Sequence, residues 1–157
     1  MIIKFNVFGD AKGQPRPRAR AFKMGSKYIA KFYDDDSAND WKIKVNEAIK
    51  EHTHDTYEIN KNNAYTVIIS FYFSRPKSHY KSTKELTSSA PRYMIQKPDI
   101  DNLAKLILDC ITKSTKVWRD DSQVTTLMLS KAFWDQNTDA ANVTIMEESN
   151  ALVKLTN

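Results

Sequence analysis

The period of the apolar residues changes several times along the chain, and each change marks an element. Residues 2–8 alternate, with Ile3, Phe5 and Val7 on one side, as in a half-buried strand. Gly9 and Asp10 end that run. Trp41, Val45, Ala48 and Ile49 then recur at helical spacing and predict an amphipathic helix. Ser37 with Asp40 resembles a capping box, and the run Asp34-Asp35-Asp36 fits a helix N-terminus, where acids are favoured. Ala64–Ser74 is the strongest strand pattern, with Val67, Ile69, Phe71 and Phe73 sharing a face. From Asn102, Leu103, Leu106, Ile107, Cys110 and Ile111 give a second helix a buried stripe. Val117 and Trp118 are expected to fold back onto the core. Gln123–Phe133 reads as a strand with Leu127, Leu129 and Phe133 alternating. After a turn at 134–139, Ala141–Glu147 reads as its hairpin partner. The order β-α-β-α-β-β predicts an α+β fold: one mixed sheet with helices packed against a face, in a single domain over residues 1–157.

Between these elements lie two basic segments. From Ala11 to Tyr33 there are seven Lys or Arg residues and no acid. Pro15 and Pro17 keep this stretch out of a helix, so it is expected to be a loop. Uncompensated like charges favour an anion laid across them, and Arg16, Arg18 and Arg20 are the expected phosphate contacts. The second segment, 75–96, carries Arg75, Lys77, Lys81, Lys84 and Arg92 against one acid, Glu85. A loop of that length in a compact fold is commonly functional. It leads into the acidic stretch considered next, so Lys81, Arg92 and Lys97 are further candidates for phosphate contact. Tyr80 and Tyr93 could stack on bases or pack in the fold.

The whole chain has 157 residues and a net charge of +5, which favours a polyanionic partner. No apolar run is long enough to span a bilayer, and the first residues lack a signal-peptide pattern. The single cysteine falls on a helical stripe, a core position rather than a disulfide or nucleophile. These features predict a cytoplasmic protein. His52 and His54 are spaced for opposite sides of a helix and are read as surface residues.

The chemistry concentrates between Lys97 and Val124. Asp99 and Asp101 flank one residue just after Pro98, where an extended segment meets a helix. Lys105 lies four residues after Asp101, within reach of it along the helix. Asp120 and Asp121 stand before the next strand. Asp is a favoured N-cap and turn residue, so each acid alone has a structural explanation. One cap leaves a second carboxylate beside it in repulsion, however, which a metal or cationic partner would offset. The two acidic pairs are expected to meet where the second helix begins beside the following strand.

The strings KPDIDNLAK and WRDDSQV, with Asp109 between them, closely resemble the signature of the RusA family of Holliday-junction resolvases, often carried by phages and prophages. The resemblance implies an endodeoxyribonuclease that resolves four-way junctions by paired phosphodiester hydrolysis during recombination and repair. It implies Asp99, Asp101 and Asp121 as metal-binding catalytic carboxylates and Lys105 as the catalytic lysine. Asp120 and Asn102 occupy motif positions without an assigned role, and Asp120 is a further candidate ligand. Mg²⁺ is the implied ion, with Mn²⁺ a possible substitute. A homodimer acting on branched DNA in a bacterial or phage-infected cell is implied as well. Three other readings share some of these features: a different structure-selective or nonspecific metal-dependent nuclease, a non-catalytic DNA-binding module, and a structural or interaction protein.

Overall fold

A computed structural model describes residues 1–15, 18–25, 27–33, 36–53 and 62–149. Its centre is the strand β4 (Ala64–Ser74), whose alternate residues Tyr65, Val67, Ile69, Phe71 and Phe73 are all buried. β1 (Ile2–Phe8) buries Ile3, Phe5 and Val7 on the same side, as its alternation requires. With β5 (Val124–Trp134) and β6 (Ala140–Glu148) they form one four-stranded sheet in the order β1-β6-β4-β5. β6 runs antiparallel to both β1 and β4, while β5 runs parallel to β4. The fold is α+β with a mixed sheet, as expected.

Two helices supply the rest of the core. α1 (Asn39–Glu51) buries Trp41, Val45 and Ile49, with Ala48 packed partly against them. α2 (Ile100–Ser114) buries the predicted stripe together with Ala104 and Leu108. The stripe residue Cys110 has a thiol pushed up to about 11, chiefly by burial, which fits a packing role. Val117 and Trp118 are buried too. Tyr65 Oη donates to Val117 O at 2.7 Å, and Trp118 Nε1 donates to Thr112 Oγ1 at 2.7 Å. Tyr65 and Trp118 also meet edge to face, with ring centroids 5.4 Å apart. This cluster fixes where the chain turns after α2 and enters β5.

Several expectations are corrected. The first basic segment is not a loop beyond Pro17: β2 (Arg18–Met24) and β3 (Lys27–Tyr33) pair antiparallel as a separate two-stranded ribbon. Its turn contains Gly25 at φ +66, a conformation that favours glycine. Both prolines lie upstream of the pairing, so they do not prevent it. β6 is not a hairpin partner of β5, because β4 lies between them. The link from Trp134 passes over the end of β4, where Asp139 Oδ1 accepts from Ser74 N at 2.9 Å and Ser74 Oγ at 3.0 Å. β4 is the most apolar strand and gains more burial between two neighbours than at a margin. Leu127 is 42% exposed on β5, whereas Leu129 and Phe133 pack against the core.

The N-cap position of α1 falls one residue after Ser37. α1 begins after a 3-10 turn (Asp36–Ala38), its N-cap is Ala38, and Asn39 Nδ2 donates to Asp36 Oδ1 at 2.9 Å. His52 is exposed, as expected from its spacing, with Nδ1 2.8 Å from Ala48 O. The placements expected for Asp34, Asp35 and His54 lie outside the described residues, as does Arg16.

Candidate active site

The segment before α2 runs along the outer margin of β5. Phe133 N donates to Arg92 O at 2.9 Å, and Tyr93 forms an antiparallel bridge with Ala132. The chain then reaches a cis Lys97–Pro98 peptide and Asp99, the N-cap position of α2. Asp99 has extended backbone angles (φ −70, ψ 142), and its carbonyl accepts the first helical bond from Leu103 N at 3.1 Å. Its carboxylate makes no capping bond. The position is that of a cap, yet the side chain is not used as one. A cap of this kind is worth about 1 kcal/mol, a contribution this side chain does not make; what remains is the weaker attraction of the helix dipole for an acid at its N-terminus.

Asp99 and Asp101 are both exposed and open onto one cleft of about 580 Å³, which Tyr93, Gln96, Ser130 and Lys131 also line. Lys131 is a residue that sequence reasoning missed. Its Nζ donates to Gln96 O at 2.6 Å and to Pro98 O at 2.7 Å. The signal was present in the alternation, where Lys131 shares parity with Leu127, Leu129 and Phe133; a charge on that side of a strand requires partners.

A second contact explains part of the motif around Asn102. Gln14 N donates to Asn102 O at 2.9 Å, and a Cβ placed on Gly13 would stand 3.1 Å from Asn102 Cβ. The segment leading into the basic ribbon therefore meets the first turn of α2 at close range, which a larger residue at 13 would disturb. The second basic segment is only partly available to a ligand. Arg75 is nearly buried, bonded through Nε to Asp135 at 2.8 Å and through a terminal nitrogen to Pro91 O at 2.7 Å. Lys81 pairs with Glu85 at 3.6 Å on the surface. Arg92 is exposed with its guanidinium 5.3 Å from the ring of Tyr93, itself 58% exposed, and Lys97 is exposed as well. Tyr80 is half-buried in a bridge with Leu86.

Lys105 does not pair with Asp101. Its Nζ lies 3.4 Å from Asp109 Oδ1, one turn further along, where the carboxylate is largely shielded. Pairs of this type on a helix surface contribute only about 0.2–0.5 kcal/mol, so the arrangement is a weak source of stability. It leaves Asp101 free of an intrahelical cation. If Lys105 serves chemistry, Lys105→Ala is expected to lower the cleavage rate at least tenfold with an unchanged melting temperature. Lys105→Arg should recover part of the rate, because it keeps the charge but spreads it over a planar fork. A fully active Lys105→Ala variant would remove this lysine from the site.

The second acidic pair divides by role. Asp120 is the N-cap of a 3-10 turn (Asp121–Gln123) and accepts from Ser122 N at 3.0 Å. Hydrogen bonds from Ser122, side chain then backbone, hold its carboxyl below the usual range. Gln123 closes the same turn: Oε1 accepts from Arg119 N, and Nε2 donates to Asn63 O, both at 2.9 Å. The turn explanation thus holds for Asp120, while Asp121 stays partly exposed in the first position after it.

Asp121 is not brought to Asp99 and Asp101 within one chain. Because β5 runs parallel to β4, the chain must descend through α2 before β5 can begin. Asp99 and Asp101 open beside Ser130 and Lys131, whereas Asp121 precedes Val124 at the opposite end of the strand. The intervening strand spans about 20 Å at the usual rise, and α2 a similar length. Among the described residues, no group of three or more His, Cys, Asp or Glu side chains is gathered to hold a metal.

Asp99 and Asp101 thus share one cleft without a capping bond from Asp99, and the segment leading into the basic ribbon touches the same first turn of α2 through Gln14. The family model described as endodeoxyribonuclease RusA matches residues 9–146, and the chain belongs to that family. Membership makes it an endodeoxyribonuclease, a hydrolase of the group that resolves Holliday junctions and acts on branched DNA. The family is generally dependent on divalent metal. Comparison with curated proteins gave no match. No helix among the described residues is long and apolar enough to cross a membrane.

Proposed function

We propose that this protein is an Mg²⁺-dependent resolvase of four-way DNA junctions, serving recombination and repair in the cytoplasm of a bacterial or phage-infected cell. The observation that carries this reading is the pair of uncommitted carboxylates, Asp99 and Asp101, sharing one cleft at the start of a buried helix. Hard divalent ions such as Mg²⁺ take oxygen ligands and are commonly held by one or two carboxylates plus substrate phosphates. The two acids fit that requirement, and Mn²⁺ would fit the same donors. When bound, such an ion supplies an activated water and offsets charge on the leaving oxygen.

The chain's own groups account for the remainder. Asp99 and Asp101 would orient the ion against the cleft, and Lys105 would place a cation where negative charge develops. Arg16, Arg18, Arg20, Arg92 and Lys97 would hold the sugar–phosphate backbone, with Lys81 contributing once released from Glu85. Among the described residues, Asp121 is not gathered with Asp99 and Asp101 of its own chain. A homodimer removes the difficulty: each cleft would take its third carboxylate from the second copy. Two-fold symmetry then presents two equivalent sites, which suits paired cuts in opposed strands.

The test is incubation with a four-way junction, a flap and a linear duplex of matched sequence, with Mg²⁺ and with chelator. Paired cuts confined to the junction and lost in chelator are expected. Equal cutting of all three would make the protein a general nuclease, and an intact junction would leave it a binding module. Replacing Arg16, Arg18 and Arg20 together with Ala should weaken binding to all sequences alike. The log–log salt dependence should flatten by about 0.9 for each phosphate that is no longer neutralised. A changed sequence preference at constant slope would assign these residues to base reading instead.

A further inference from the structure

Between Tyr93 and Ile100 the backbone joins neither a helix nor a strand, yet this stretch sets where Asp99 and Asp101 face. Lys131 attaches it to β5 through two carbonyls, Gln96 O at 2.6 Å and Pro98 O at 2.7 Å. Pro98 directly precedes Asp99. An ammonium–carbonyl bond is charge-assisted and stronger than a neutral one, and here two converge from a paired strand onto an unpaired segment. Lys131 also lines the cleft that holds both acids. An ammonium has three donors, and two are spent on these carbonyls.

We infer that Lys131 is a positioning residue for the Asp99–Asp101 pair, holding the entry to α2 against β5 so that both carboxylates face the cleft in a geometry ready for a divalent ion. The inference rests on the reading of that pair as metal-binding. It carries a sign that separates it from simple electrostatics. If Lys131 were only a positive charge near the acids, removing it would make the cleft more negative and tighten cation binding. If it positions the acids, removing it loosens cation binding despite the more favourable charge.

The experiment compares the parent, Lys131→Met, Lys131→Arg and Asp101→Asn on the full chain. Mn²⁺ binding is followed by electron paramagnetic resonance without DNA, and junction cleavage is measured under single-turnover conditions. Lys131→Met keeps the aliphatic stem and is expected to weaken Mn²⁺ binding and slow cleavage, each about 10- to 100-fold, the range seen when a partner orienting a metal ligand is removed. Junction affinity in chelator should stay within about twofold, and Lys131→Arg should recover part of both losses, since it still donates to carbonyls. Unchanged or tighter Mn²⁺ binding in Lys131→Met, with Asp101→Asn weakened, would overturn the positioning role and leave the carboxylate reading standing. Mn²⁺ binding that Asp101→Asn does not weaken would overturn both.

Discussion

Asp99→Asn, Asp101→Asn and Asp121→Asn are each expected to abolish Mg²⁺-dependent cleavage of a four-way junction while leaving its binding intact. A loss of roughly 10³-fold or more is anticipated, the scale on which groups that stabilise developing charge act. Asn is nearly isosteric with Asp and is itself a good N-cap. A structural role for Asp99 would therefore survive the substitution, and Asp99 makes no side-chain capping bond to lose. A neutral amide holds a hard cation poorly. Junction binding in chelator should be equal or tighter, because each change removes a negative charge from beside the DNA backbone. Asp120→Asn is the neighbouring control. Its amide oxygen can still accept from Ser122 N, so cleavage is expected within a few-fold of the parent. If Asp120→Asn were dead and Asp121→Asn active, the roles assigned within this pair would be reversed.

The parts of the fold that were legible in the sequence are those where one face is buried and the period is clear. Ala64–Ser74 and the stripe from Leu103 to Ile111 follow from apolar spacing, and the anchoring of Trp118 from a large aromatic in a short link; the structure places them accordingly. The ribbon β2–β3 was not legible, because its side chains at 21–24 and 27–30 are exposed and carry no burial signal, and the prolines before them suggest a loop. The position of β6 was illegible for another reason. A strand after a short turn reads as a hairpin, and only the demand of β4 for neighbours on both sides places β4 between β5 and β6.

The candidate site shows the same division. Asp99 and Asp101 stand out because acids one residue apart repel, and one cleft does receive both. Lys105 was expected to turn back to Asp101 but turns forward to Asp109; both lie one helical turn away, and spacing alone does not choose between them. The meeting of the two acidic pairs depended on strand direction, which periodicity does not encode. Once β5 is parallel to β4, α2 must separate the pairs. Lys131 was visible only as a charge on the apolar parity of its strand, a signal whose meaning appears when the carbonyls it reaches are known.

That separation makes complementation the most direct test of a site shared between two copies. Asp101→Asn and Asp121→Asn chains, each inactive alone, can be co-expressed with different tags and purified as the mixed dimer. In that dimer one cleft combines Asp99 and Asp101 of the Asp121→Asn chain with Asp121 of the other chain, so it is complete. The opposite cleft carries both defects. Single-turnover cleavage of a pre-bound four-way junction, started with Mg²⁺, should therefore return at about half the parental rate and nick one strand of the opposed pair. A mixed dimer that binds the junction and makes no cut would contradict the shared site and require all three carboxylates to act within one chain.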